Sequence, residues 1–92
     1  FDTTYIVKKN SRNFVGSLKN NNSNVQVDFF SNLIGVKLYS AQNLNYKKKL
    51  FPYQCICLET QYFPDISNKK NFPSTLIKAN KRYTCFTKIK IY

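Results

Sequence analysis

The chain of 92 residues has no histidine, methionine or tryptophan, and only two glycines, three prolines and three cysteines. Without histidine, a zinc site would need several thiolates close together. Cys55 and Cys57 are two residues apart, but Cys85 is distant in sequence, so we expect no metal site. Three cysteines cannot all pair within one chain. We therefore expect buried, reduced thiols, as in a cytoplasmic protein.

Long apolar runs are also missing. No stretch approaches the ~20 apolar residues of a membrane-spanning helix, and no charged-then-apolar signal segment is present. The sequence instead starts in strand-like residues at Phe1, without an initiating methionine. We therefore expect no membrane partner. We also expect residues 1–92 to be part of a single domain whose polypeptide continues upstream of Phe1.

Acidic residues are scarce: four face fifteen basic residues, which gives a formal charge of +11. Such a balance is found in proteins that bind nucleic acid. Here the lysines are scattered, 47–49 is their one run, and asparagine, isoleucine, tyrosine and phenylalanine are abundant too, as A/T-rich codons would produce. We interpret the charge as a solvated surface and expect no nucleic-acid partner. A small basic nucleic-acid-binding β domain stays open as an alternative, and it requires aromatic residues and lysines on one exposed face.

Apolar and polar residues alternate in short segments, and turn-forming residues separate them. A period of two with β-branched and aromatic residues predicts strands. Asparagine-rich or glycine-containing breaks, such as 20–24 and 32–35, predict turns. The sequence therefore predicts an all-β protein, an antiparallel β-sandwich. The predicted strands cover residues 4–8, 13–19, 25–30, 36–41, 54–61 and 83–92.

Glu59 is the most informative residue, because it lies in the apolar, β-prone run 54–61 that otherwise predicts a buried strand. A buried carboxylate is costly unless it is paired, hydrogen-bonded or open to a cleft. Glu59 is thus either a structural acceptor or a site residue. The loop that follows contains Phe63-Pro and Phe72-Pro pairs, and we expect these phenylalanines to hold an ordered loop beside the strand.

A family resemblance rests on these same residues. Cys57-Leu-Glu-Thr-Gln61, followed by Phe63-Pro-Asp65 and Asn71-Phe-Pro-Ser-Thr75, resembles the C-terminal signature of the aldose 1-epimerases, or galactose mutarotases. Gly35-Val-Lys-Leu-Tyr-Ser40 and Phe1-Asp-Thr-Thr-Tyr5 agree in order and spacing with two further family motifs. The resemblance implies that residues 1–92 form the C-terminal part of a galactose mutarotase-like β-supersandwich.

The resemblance also implies a reaction: the interconversion of α and β anomers of free hexoses such as galactose and glucose, without a cofactor. A glutamate at the position of Glu59 removes the C1 hydroxyl proton as general base, while a histidine protonates the ring oxygen. Asp2 falls on the family aspartate that binds sugar hydroxyls. Because the chain has no histidine, the acid must lie upstream, and the fragment alone is expected to be inactive. The alternative is a non-catalytic carbohydrate-binding relative of the same fold.

Some positions depart from the family pattern or stay undecided. Thr3 stands where the family motif has histidine, and Ala41 stands where it has glycine. Gln61 is expected on the face of Glu59, where it either orients that carboxylate or is an ordinary sheet residue. Tyr39 and Tyr53 either stack on a sugar or fill the core.

Overall fold

Six strands and one 3₁₀ turn make up the regular structure of the computed structural model, which describes residues 1–92. The prediction of an all-β fold is confirmed, with boundaries displaced by a few residues: the first strand begins at Asp2 and the last at Thr87. The structure contains no helix that could span a membrane. The elements are β1 Asp2–Ile6, β2 Phe14–Asn20, β3 Val25–Ser31, β4 Gly35–Tyr39, β5 Cys57–Gln61, the turn Ile66–Asn68, and β6 Thr87–Ile91.

The first sheet has the strand order β1-β4-β5, with all neighbours antiparallel. Strand β4 is central, so its residues pair on both sides: Gly35 faces Ile6 and Gln61. The pairing continues past β1, since the Ser40 amide donates to the Phe1 carbonyl at 2.9 Å. The central position of β4 fixes which residues of β1 and β5 lie side by side.

The second sheet has the antiparallel order β2-β3-β6. The hairpin between β2 and β3 turns at the asparagine-rich segment 20–24, as predicted, with Asn24 at a φ of 53°. Asparagine tolerates this left-handed region better than most residues. A bulge between Phe14 and Gly16 shifts the register of β2. The hydroxyls of Thr60 and Thr87 hydrogen-bond and so join β5 of the first sheet to β6 of the second.

Very little of this chain is buried: four of 92 residues are. Ile89 and Ile91, on the apolar side of the second sheet, are 57% and 70% exposed. The two antiparallel sheets are consistent with part of a β-sandwich, but their apolar sides remain largely open. The prediction of buried cysteines is wrong. All three are free thiols, and Cys55 and Cys85 are exposed because each precedes its strand instead of lying within it.

The loop after β5 is ordered around two phenylalanines. The rings of Phe63 and Phe72 meet edge to face with centroids 5.3 Å apart, an arrangement that aromatic pairs favour. A Cβ built at Gly35 would lie 3.2 Å from a ring carbon of Phe63, so this ring rests directly on β4. One of the two expected anchors therefore contacts the sheet, and the other packs on the first.

Candidate functional site

Glu59 lies in the middle of β5, and its side chain is exposed. The expectation that this strand is fully buried is wrong, because no second layer covers the side on which Glu59 lies. The two ion pairs of the chain, Lys37 with Asp2 and Lys69 with Asp65, do not include Glu59. Its carboxylate is thus open to an incoming group and not committed to a structural pair.

The strand register brings Asp2 and Glu59 to the same side of the first sheet. Side chains of directly paired residues share a face, and so do residues two apart on one strand. Thr4, Lys37 and Glu59 form one such cross-strand row. The row on one side of it contains Asp2, which pairs with Tyr39. The row on its other side contains Gln61, which pairs with Gly35. We call this side the polar face, which also carries Ile6, Gly35 and Cys57; its polar members are Asp2, Thr4, Lys37, Tyr39, Glu59 and Gln61.

Lys37 stands between the two carboxylates. Its Nζ lies 2.8 Å from an Asp2 Oδ, and it is the direct cross-strand partner of Glu59. The Asp2 carboxylate, by its hydrogen bond and its charge, raises the pKa of Lys37 above its usual value, and the more distant charge of Glu59 acts in the same direction. The ammonium is therefore held in its charged form, with an anion on either side.

The spacing of the polar face suits a small ligand. Asp2 and Glu59 are on β1 and β5, two strand spacings apart and one row apart along the strands, so their Cα atoms are separated by about 12 Å. Both carboxylates are exposed. A ligand that approaches this part of the sheet can therefore meet a carboxylate at each side, with the Lys37 side chain between them.

Gln61 shares the polar face but does not contact Glu59. Its Nε2 donates to Thr4 Oγ1 at 3.1 Å, so the amide reaches from β5 across β4 to β1. This crossing is possible because the residue between them in the sheet is Gly35, which has no side chain. Phe63 adjoins the same end of the face, and together with Thr4, Ile6 and Phe72 it lines a shallow groove.

The other positions considered from the sequence fall in different places. Tyr39 is on the polar face, and its hydroxyl accepts from the Asn43 amide at 3.4 Å. Tyr53 is 72% exposed, outside the strands, and fills no core. Thr3 pairs with Leu38 and so lies on the opposite side of the sheet from Asp2. The sequence analysis missed Lys37 and Thr4, whose one signal is their cross-strand alignment with Glu59.

The second sheet carries aromatic and basic residues on one side, which is the feature that nucleic-acid binding would require. However, the ring of Phe30 is covered by Lys88, with 5.1 Å between Nζ and the ring centroid. Lys90 covers Tyr92 in the same way, at 4.7 Å. One face of each ring therefore carries one of the chain's own ammonium groups. The absence of a nucleic-acid partner stays a prediction.

The chain is thus an all-β protein with two antiparallel sheets. The polar face of its first sheet is exposed and carries a carboxylate, Glu59, that is in neither ion pair. The family model described as aldose 1-epimerase matches residues 1–90. The chain therefore belongs to the aldose 1-epimerase family, and the resemblance found in the sequence is confirmed. This is an isomerase-type enzyme family. Neither the curated proteins nor the solved structures include a significant match to the chain.

Proposed function

We propose that the chain is the C-terminal part of a mutarotase that interconverts the α and β anomers of free hexoses such as galactose and glucose. Glu59 is the general base, and Asp2 binds sugar hydroxyls. The observation that supports this assignment is the placement of both carboxylates on one face of the first sheet, with β4 between them. Family membership supports the reaction type.

The chemistry begins when Glu59 accepts the proton of the C1 hydroxyl. The O1 electron pair then forms the carbonyl as the bond between C1 and the ring oxygen breaks, and an acid protonates that oxygen. Rotation about the C1–C2 bond and the reverse steps give the other anomer. Glu59 suits the role of base because it is exposed and its strand is hydrogen-bonded to β4, which fixes its position. The acid is supplied by a histidine of the upstream polypeptide, since this chain has none.

The partner that completes the protein is the remainder of the same polypeptide, upstream of Phe1, in a cytoplasmic enzyme. Apolar side chains such as Ile89 and Ile91 are more than half exposed, and residues of this kind are normally covered in a sandwich. The chain alone is therefore expected to leave the rate of α-glucose mutarotation, followed by polarimetry, at that of buffer. Acceleration by the purified chain would contradict the requirement for an upstream acid.

The test of the proposal is Glu59→Gln in the intact polypeptide. Loss of a general base is expected to lower kcat by about 10²- to 10⁴-fold, measured by polarimetry with galactose and glucose. Asp65→Asn is the matched control, because Asp65 is an exposed carboxylate in the loop after β5 and pairs with Lys69. It should leave kcat within about twofold, since the change removes one exposed charge from a loop and none from the polar face.

Three results separate the possibilities. Normal turnover by the Glu59→Gln variant would refute Glu59 as the base. A wild-type protein that binds galactose in calorimetry but does not accelerate mutarotation would be the non-catalytic carbohydrate-binding relative. A wild-type protein that does neither would refute the hexose assignment altogether.

A further inference from the structure

Lys37 is the one basic side chain of the polar face, and nothing in the proposed reaction uses it. A lysine on a strand is usually solvated, with its ammonium free to move. Here the side chain is 35% exposed and the ammonium is hydrogen-bonded to Asp2 at 2.8 Å. The ammonium is therefore paired with one specific carboxylate.

The ion pair between Lys37 and Asp2 is important because Asp2 lies at the edge of the sheet. Asp2 is the first residue of β1, an edge strand, and its side chain is 49% exposed. The contact that the structure gives this half-exposed carboxylate is the ion pair with Lys37. Lys37 belongs to the central strand, whose backbone is hydrogen-bonded on both sides, so the lysine approaches Asp2 from a firmly placed backbone.

Lys37 forms its ion pair with Asp2 although another carboxylate is nearby. The charged and titratable groups that face its side chain are Asp2 from β1, Glu59 from β5, and Tyr39 from β4. Glu59 is the direct cross-strand partner, yet the ion pair is made with Asp2, one row away. This arrangement leaves Glu59 free for the proton and holds the second carboxylate in place.

We propose that Lys37 is a positioning residue that holds the Asp2 carboxylate in the orientation that binds sugar hydroxyls, and that it affects substrate affinity more than the chemical step. The inference rests on the proposed function, since it assigns to Asp2 the role of sugar ligand. It concerns a residue that touches Asp2 and is not itself a catalytic group.

The experiment compares Lys37→Met and Lys37→Arg in the intact polypeptide, with mutarotation rates measured over a range of galactose concentrations. Methionine keeps the apolar stem and removes the ammonium, so KM should rise about three- to fivefold while kcat stays within twofold. Arginine keeps a charged donor that pairs well with carboxylates and should restore KM to within twofold of wild type. Lys19→Met, on an exposed position of the second sheet, is the control that should change neither constant.

A double variant tests whether Lys37 acts through Asp2. Asp2→Asn should raise KM by itself, and adding Lys37→Met should raise it no further, since the two residues share one interaction. An unchanged KM in Lys37→Met, a loss in kcat instead of KM, or additive effects in the double variant would each overturn the proposal. These outcomes are separate from failure of the proposed function, which is reported by Glu59→Gln retaining activity.

Discussion

Replacement of Gly35 by alanine is the sharpest test of how this face is built. A Cβ at this position would lie 3.0 Å from the Gln61 carbonyl oxygen and 3.2 Å from a ring carbon of Phe63. The carbonyl belongs to β5 and cannot withdraw without disturbing the pairing of β4 with β5. The Phe63 ring is held by Phe72, so it too is restricted. The methyl group therefore meets neighbours that have little room to move.

Two opposing terms decide the size of the effect. Gly35 does not have a positive φ, so alanine fits the backbone, and the loss of glycine flexibility in the unfolded chain would by itself stabilise the fold by about 0.5–1 kcal/mol. Insertion of a methyl group into a filled position costs about 1–3 kcal/mol. The steric term is larger, and we expect a net loss of about 1 kcal/mol in the free energy of unfolding, from the midpoints of the two ranges.

Gly16→Ala is the control, because a Cβ built at Gly16 has nothing within 4 Å and its φ is not positive either. That variant should be neutral or more stable by up to about 1 kcal/mol. Both are measured in the intact polypeptide by urea denaturation, with unchanged m-values as the check that the same unfolding transition is compared. If Gly35→Ala proved as stable as Gly16→Ala, the close contact of Phe63 and Gln61 with β4 would be refuted.

Two further predictions concern the loop and the second sheet. Phe72→Ala removes the edge-to-face partner of Phe63, and such an aromatic contact is worth about 0.5–1.5 kcal/mol. The loop should therefore open more often, and trypsin should cleave faster after Lys69, which lies in the same loop. An unchanged cleavage rate would contradict the anchoring role of Phe72. The pKa of Asp28 is lowered mainly by the hydrogen bond from Ser17 at 2.5 Å, so this carboxylate stabilises the fold above its usual pKa and loses that contribution as the pH falls through the lowered value. Ser17→Ala should raise the Asp28 pKa in an NMR titration, and no change would refute the hydrogen bond.

The sequence predicts the six strands because the signal for a strand is local. Alternation with a period of two, in residues 25–30 for example, is visible without knowledge of the partner strand, and β3 is found at Val25–Ser31. The asparagine-rich turn after β2 is equally local. Boundaries are less well predicted, since pairing partners decide where a strand ends. The last strand begins at Thr87, where pairing with Ser31 starts, and not at residue 83.

The polar face could be predicted only in part, because it is a property of the register between strands far apart in sequence. Glu59 stands out as the charged residue in an apolar run, and the family motif draws attention to Asp2. Lys37 carries no comparable signal, since it is one of many scattered lysines until β4 is aligned with β1 and β5. The exposure of Glu59 could not be predicted either, because an apolar, β-prone run does not indicate which side of the strand is covered by other residues.

The register of β4 is the feature on which all the proposed roles depend. A slip of one residue would turn Lys37 to the other side of the sheet and bring Val36 or Leu38 beside Glu59, because side chains alternate along a strand. Gly35 opposes such a slip: Phe63 and Gln61 pack where β4 has no side chain, and any other residue of the strand would place a Cβ there. The glycine that admits the Phe63 ring thus also keeps Lys37 in line with Glu59. If the proposed mutarotase activity depends on this alignment, Gly35→Ala should lower the rate measured by polarimetry as well as the stability, whereas Gly16→Ala should leave the rate unchanged.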